Sequence, residues 1–119
     1  MARLEDSTRS DRRCVRTAFR VIETIRGVDI DMPIQTAATF LIIAENEGCT
    51  LADIQTRLGM ASSTASRNVA SLGERHRLGK PGYDLIIAKP DLQDRRRRLH
   101  YLTAKGRVIL RQIIDAVER

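Results

Sequence analysis

Near the middle of the chain, two short stretches with helical apolar periodicity lie only a four-residue turn apart. Thr50-Leu-Ala-Asp53 reads as a capping box, with Asp in place of the usual Glu or Gln. Leu51, Ile54 and Leu58 follow at helical spacing, and Gly59 reads as the stop. Beyond the turn at 59–62, a second helix is expected over 63–76, with Ala65, Val69 and Leu72 inward. Its other face carries Ser62, Ser63, Ser66 and Arg67, with no acid until Glu74. This spacing confines the middle of the chain to a helix, a tight turn and a second helix held out from the body.

The flanking segments supply the rest of the fold. Over 10–25, Cys14, Val15, Ala18, Phe19, Ile22 and Ile25 fall on one helical face, with Arg13, Arg16, Arg20 and Glu23 opposite and Gly27 as the stop. Pro33 suits a first helical turn, and the helix expected over 34–46 is apolar on most sides through Ile34, Ala38, Leu41, Ile42 and Ile43, with Gly48 ending it. After the punctuation of Gly79, Pro81 and Gly82, residues 85–89 and 99–102 are rich in strand formers and read as a hairpin around the basic loop 90–98. Thr103 then caps a last helix over 104–117, with Val108, Ile109, Ile113, Ile114 and Val117 as its apolar residues. The fold expected is mainly α with a small β-hairpin wing: a tail over 1–9 and one winged helix-turn-helix domain over 10–119.

Charge narrows the partner. The 119 residues carry a net charge of +6, with 21 Lys or Arg against 15 Asp or Glu. Between Arg57 and Arg111 there are 13 basic residues and only 4 acids, a local +9, so the remainder is slightly acidic at −3. A concentrated basic footprint points to a polyanion, with nucleic acid ahead of a membrane surface. Aromatics at 3% weigh against single-strand binding, which uses rings to stack on bases. No apolar run is long enough to span a bilayer, and Met1 to Arg13 lacks the apolar stretch of a signal peptide, so a cytoplasmic location is expected. Cys14 and Cys49 form no disulfide framework, and His76 and His100 lack a second ligand at helical spacing, so neither a metal nor a cofactor is expected. No nucleophile–base or paired-carboxylate arrangement suggests an enzyme.

A helix held out from its scaffold fits the major groove of double-stranded DNA, where its first residues meet base edges. Ser62, Ser63, Thr64 and Ser66 supply small polar groups for a tight groove, and Arg67 a forked donor for guanine. The hairpin supplies a basic wing for the backbone or a minor groove. Arg95 and Arg96 are expected on the backbone. Arg97 and Arg98 stay open between DNA and the protein body, with Arg97 counted among the candidates. Lys80, Lys89 and Lys105 are ordinarily plain surface charges, and Lys89 is counted as a phosphate contact.

These pieces together resemble the multiple-antibiotic-resistance regulator (MarR) family of winged-helix transcription factors. The resemblance rests on Leu51-Ala-Asp…Leu58-Gly-Met60, Ser63-Thr-Ala-Ser-Arg67…Leu72 and Asp94-Arg-Arg96…Leu102-Thr103-Ala-Lys-Gly106, and it covers the chain from about Arg12 onward. It implies that Ser62, Ser63, Thr64, Ser66 and Arg67 face DNA, that Arg96 enters a minor groove with Asp94 orienting the wing arginines, and that helices over 10–26 and 104–118 build a homodimer. It leaves any small-molecule effector unassigned. Three departures stand out: the family usually has a further C-terminal helix, an extra segment lies around 77–83, and Ala61 stands where a capping Ser or Thr is common, which makes Ser62 the expected cap. Some relatives sense peroxides through a cysteine on the first helix, but the surroundings of Cys14 do not repeat that pattern, and a buried structural cysteine is expected. The function expected is a sequence-specific dimeric repressor. A replication or genome-handling protein of a plasmid or virus, and a winged-helix interaction adaptor, are the alternatives.

Overall fold

Seven elements follow one another in a computed structural model that describes residues 8–74 and 81–119. They are α1 (Arg9–Val28), α2 (Ile34–Glu45), α3 (Leu51–Leu58), α4 (Ser62–Leu72), β1 (Ile86–Pro90), β2 (Arg98–Leu102) and α5 (Ala104–Glu118). The chain is mainly helical, with a small antiparallel hairpin as its wing. α4 begins one residue before the expected 63 and ends at Leu72 rather than continuing to His76, because Gly73 turns to extended backbone angles and caps it. Residues 75–80, with Gly79, Lys80 and most of the segment 77–83, lie outside the described residues, as does most of the tail. No described helix is long and apolar enough to cross a membrane.

Local chemistry accounts for the helix ends. At α3 the Thr50 hydroxyl accepts the Asp53 N–H while the Asp53 carboxylate accepts the Thr50 N–H, so the capping box closes in both directions. These bonds hold the Asp53 carboxyl below its ordinary value. Gly59 ends α3 at φ +60, a left-handed conformation that glycine adopts without a Cβ clash. α1 has its own capping box, Thr8 with Asp11, and runs through Gly27 to Val28 before Asp29 caps it. Pro33 stands one position before the first turn of α2, and that helix is capped at Asn46, two residues ahead of Gly48.

The core runs beneath α4 and gathers Phe40, Ile43, Cys49, Ile54, Leu72, Leu85, Leu102 and Ile113 from nearly every element. α2 is central, as its composition suggests, and its buried side mixes apolar residues with two threonines. Thr36, Ala37, Thr39, Phe40 and Ile43 are inside, while Ile34 is 73% exposed and Leu41 also faces out. The two threonines are admissible because each hydroxyl is bonded: Thr36 to Asn68 and Thr39 to the Gln35 carbonyl. α1 buries no residue at all, so Val15, Phe19, Ile22 and Cys14 lie exposed. The buried position expected for Cys14 is therefore not found in the single chain. Cys49 is buried, which raises its thiol pKa.

Two connections set the wing against the helices. The backbone N–H groups of Tyr83, Asp84 and Leu85 donate to the carbonyls of Ser71, Gly73 and Leu72 at distances of 2.8–2.9 Å, so the approach to β1 satisfies the C-terminal end of α4. On the other edge of β2, Gly48 donates to the His100 carbonyl and His100 to the Cys49 carbonyl. The Glu47 carboxylate accepts the Leu102 N–H and both terminal nitrogens of Arg107, tying the α2–α3 connection, β2 and α5 together. The Leu102 bond, then Arg107, keeps the Glu47 carboxyl below its ordinary value. Burial and then the bond to Asp29 push the Tyr83 hydroxyl up to about 12.

The junction of wing and α5 explains Leu102-Thr103…Gly106. The Thr103 hydroxyl accepts the Gly106 N–H at 2.9 Å and donates to the Asp84 carbonyl at 2.7 Å. A Cβ on Gly106 would stand 2.1 Å from the Leu85 carbonyl oxygen, which is backbone and cannot swing away. Gly106→Ala should therefore force the wing off α5 and cost about 1–3 kcal/mol or more by overpacking. Urea unfolding checks this. A variant as stable as the parent chain would show that this approach is not tight.

Candidate nucleic-acid interface

α4 presents itself through what it buries. Ala65 and Leu72 are fully covered, and Asn68 is buried between them. The Asn68 carbonyl accepts the Thr36 hydroxyl at 3.0 Å, and its amide nitrogen reaches the Met60 sulfur at 3.6 Å. One side chain thus pins α4 to α2 and to the turn before it. Asn68 was not among the residues expected to matter. Its place on the inward stripe, three residues from Ala65, was the available signal, but an asparagine there reads as polar and outward.

With that side fixed, Ser62, Ser63, Ser66 and Arg67 are exposed and Thr64 is half-buried. Arg67 has no carboxylate partner among the described residues. Ser62 does not cap the helix. Ala61 occupies the cap position with extended backbone angles and makes no side-chain bond, and Ser62 is the first helical residue. The reason is local: Ala61 takes the extended backbone of the cap position, so Ser62 is one residue too far along to occupy it. The leading N–H groups of α4 therefore have no side-chain acceptor, which leaves the positive end of the helix open to an anion.

The wing tip is organised by two carboxylates. Asp91 is buried; it accepts the Gln93 N–H at 2.9 Å and the Arg97 guanidinium at 2.8 Å, and its own N–H donates to the Arg97 carbonyl. The Gln93 bond, then Arg97, holds the Asp91 carboxyl below the ordinary aspartate value. Asp94 accepts both the backbone N–H and the Nε–H of Arg96, at 3.1 and 3.3 Å. Arg97 is thereby turned toward the tip's own acids. Arg95, Arg96 and Arg98 are exposed, the Arg96 side chain to 91%. Lys89 is exposed, with its ammonium 5.3 Å from the centre of the Tyr101 ring. Sequence reasoning missed Asp91, although its Asp-x-x-Asp spacing to Asp94 was visible.

The helix and the wing meet on one side of the molecule. Ser66 and Val69 of α4, Thr50 at the start of α3 and Arg96, Arg97 and Arg98 of the wing line one cleft of about 370 Å³. Lys89 and Arg95 are not among the groups lining it.

No family model matches the sequence, and no curated protein does. Solved structures do match. One is MarR, 21% identical, with 86% of this chain and 69% of that chain covered and a TM-score of 0.62. Another is a transcriptional regulator from Thermotoga maritima, at 22%, 88%, 67% and 0.70 in the same order. A third is the transcriptional repressor CouR bound to a 23-mer DNA duplex, at 23%, 91%, 69% and 0.63. The chain spans about two thirds of the length of these structures. Its fold is that of the MarR-type winged-helix regulators, in agreement with the resemblance seen in the sequence.

The depressed Asp91 carboxyl makes the wing tip sensitive to acid. Its contribution is fully present above the ordinary aspartate value and is lost as pH falls through the lower native one. A titration of the Gln93 amide proton by NMR should have its midpoint below 3.8, and Asp91→Asn should abolish it. A midpoint at the ordinary value would show that the tip is not held this way.

Proposed function

We propose that the chain is a sequence-specific, double-stranded DNA-binding transcription regulator that acts as a homodimeric repressor. The observation that carries this reading is the shared cleft: the Ser66 face of α4 and the arginines of the wing open on the same side. One duplex can meet both. α4 lies in a major groove, where Ser62, Ser63, Thr64 and Ser66 fit close to base edges and phosphates, and Arg67 forks to a guanine. A phosphate sits against the open N-terminus of α4. The wing follows the backbone with Lys89 and Arg95 and places Arg96 in the adjacent minor groove, with Asp94 orienting it. Arg97 acts through Asp91 by stiffening the tip. CouR, a neighbour in fold, is a repressor bound to DNA, which supports the reading.

A dimer is supported by the surface that the single chain leaves uncovered. Val15, Phe19 and Ile22 form one stripe along α1, and Val108 and Val117 are exposed on α5. Burying that stripe against a second copy removes it from water and sets two α4 helices about one DNA turn apart. Occupancy of a promoter is then sufficient for repression.

Two substitutions separate base reading from backbone contact. Arg67→Ala should weaken binding to a selected duplex by about 1–3 kcal/mol and relax specificity at one base pair, measured by fluorescence anisotropy across single-base variants. Unchanged affinity and specificity would remove Arg67 from the base-reading role. Arg96→Ala should weaken binding to every duplex alike and lower the slope of log affinity against log salt by roughly one. An unaltered slope would take the wing off the DNA.

A further inference from the structure

We propose that Leu92, at the tip of the wing, is an apolar wedge that enters the minor groove of duplex DNA and partly unstacks one base step. This rests on the DNA-binding reading above and adds to it a mode of recognition that no hydrogen-bonding group supplies.

Leu92 is 93% exposed, the largest value among the exposed large hydrophobics of the described residues. Several of the others have company. Val15, Phe19 and Ile22 share the stripe on α1, and Ile30 and Ile34 lie close together in the chain. Leu92 is isolated between Asp91 and the exposed Gln93. The residues on both sides of it are bonded. Asp91 before it is buried and bonded to Arg97 through both its carboxylate and its N–H, and the Gln93 N–H after it is held by the same carboxylate. Arg97 in turn donates its N–H to the Asp94 carbonyl, closing the next turn. A leucine on a turn pinned on both sides, with no core to pack on, is presented to whatever the wing meets.

Charge identifies that surface. Arg95 and Arg98 border the same depression of about 380 Å³ as Leu92 and Pro90; the one acid lining it, Asp91, is already paired with Arg97, and Arg96 is exposed next to Arg95. A hydrophobic protein groove would have to strip water from these guanidinium groups to reach the leucine. A minor groove has phosphates on its rims for the arginines and a stack of apolar base faces beneath for the side chain. Apolar wedges of this kind enter at steps that unstack easily, above all pyrimidine–purine steps, and the duplex kinks toward the major groove. Leu92 would thereby select a flexible step at the edge of each half-site.

The test uses the full chain and the tightest duplex it selects from a random-sequence library, with a fluorescent adenine analogue placed in turn at each flanking step. Binding should brighten the analogue at one step and bend the duplex, seen as a rise in energy transfer between its ends. Leu92→Ala lies outside the core, so its thermal melt should match the parent. It should abolish the brightening, weaken binding on the order of tenfold and flatten the preference for that step, with the salt slope unchanged because no phosphate contact is lost. Leu92→Met should restore the signal and Leu92→Gln should not. Tight binding by the parent chain with no brightening at any step overturns the wedge and leaves the DNA reading intact. So does a Leu92→Ala chain that keeps the parent's affinity and step preference. A parent chain that binds no duplex overturns both.

Discussion

The buried residues of α4 are Ala65, Asn68 and Leu72, with half-buried Val69 packed beside them, and the seating of that side governs what the molecule presents. A small residue, a bonded polar one and a large apolar one are enough to seat the helix. The Thr36–Asn68 bond is what makes the seat specific. An apolar contact alone would tolerate a rotation of the helix about its axis, whereas a buried donor and acceptor lose a full bond if the helix turns. The serines and Arg67 are held outward as a consequence of that pairing.

The wing is held by the same economy of parts. Its base is fixed by backbone bonds from the segment before β1 to the end of α4, by Gly106 lying against the Leu85 carbonyl, and by Glu47 joining β2 to Arg107. Its tip is fixed by Asp91 and Asp94. Four consecutive arginines on a free loop would repel one another and point everywhere. Two carboxylates divide them: Arg97 is drawn back to Asp91, Arg96 is steadied by Asp94, and Arg95 and Arg98 remain exposed. The acids that reduce the net charge of the wing are the ones that give its positive charge a direction.

Much of this was legible because the signals were local. The Thr50–Asp53 box, the left-handed Gly59, the Thr103 cap and the hairpin strands each depend on residues within a few positions of one another, and the structure places them within a residue or so of expectation. The misjudged features depend on geometry that residue type does not record. Ser62 was expected as a cap because its type suits one, but the turn geometry gives that place to Ala61. The apolar composition of α2 did not show that Thr36 would be buried while Ile34 stays exposed, because the acceptor that satisfies the Thr36 hydroxyl, Asn68, lies 32 residues away. Asp91 read as one more loop acid until Arg97 folded back onto it.

By itself the chain of residues determined the kind and order of its elements, the clustering of basic charge and the identity of the polar face of α4, since helical period, capping and charge are carried by near neighbours in sequence. Only the tertiary structure decided that α4 and the wing open onto one cleft, which arginines remain free, and that the stripe on α1 stays uncovered. The seating of α4 and of the wing depends on contacts between residues tens of positions apart, such as Thr36 with Asn68 and Glu47 with Arg107, and no local pattern records which distant group will be there to complete a bond.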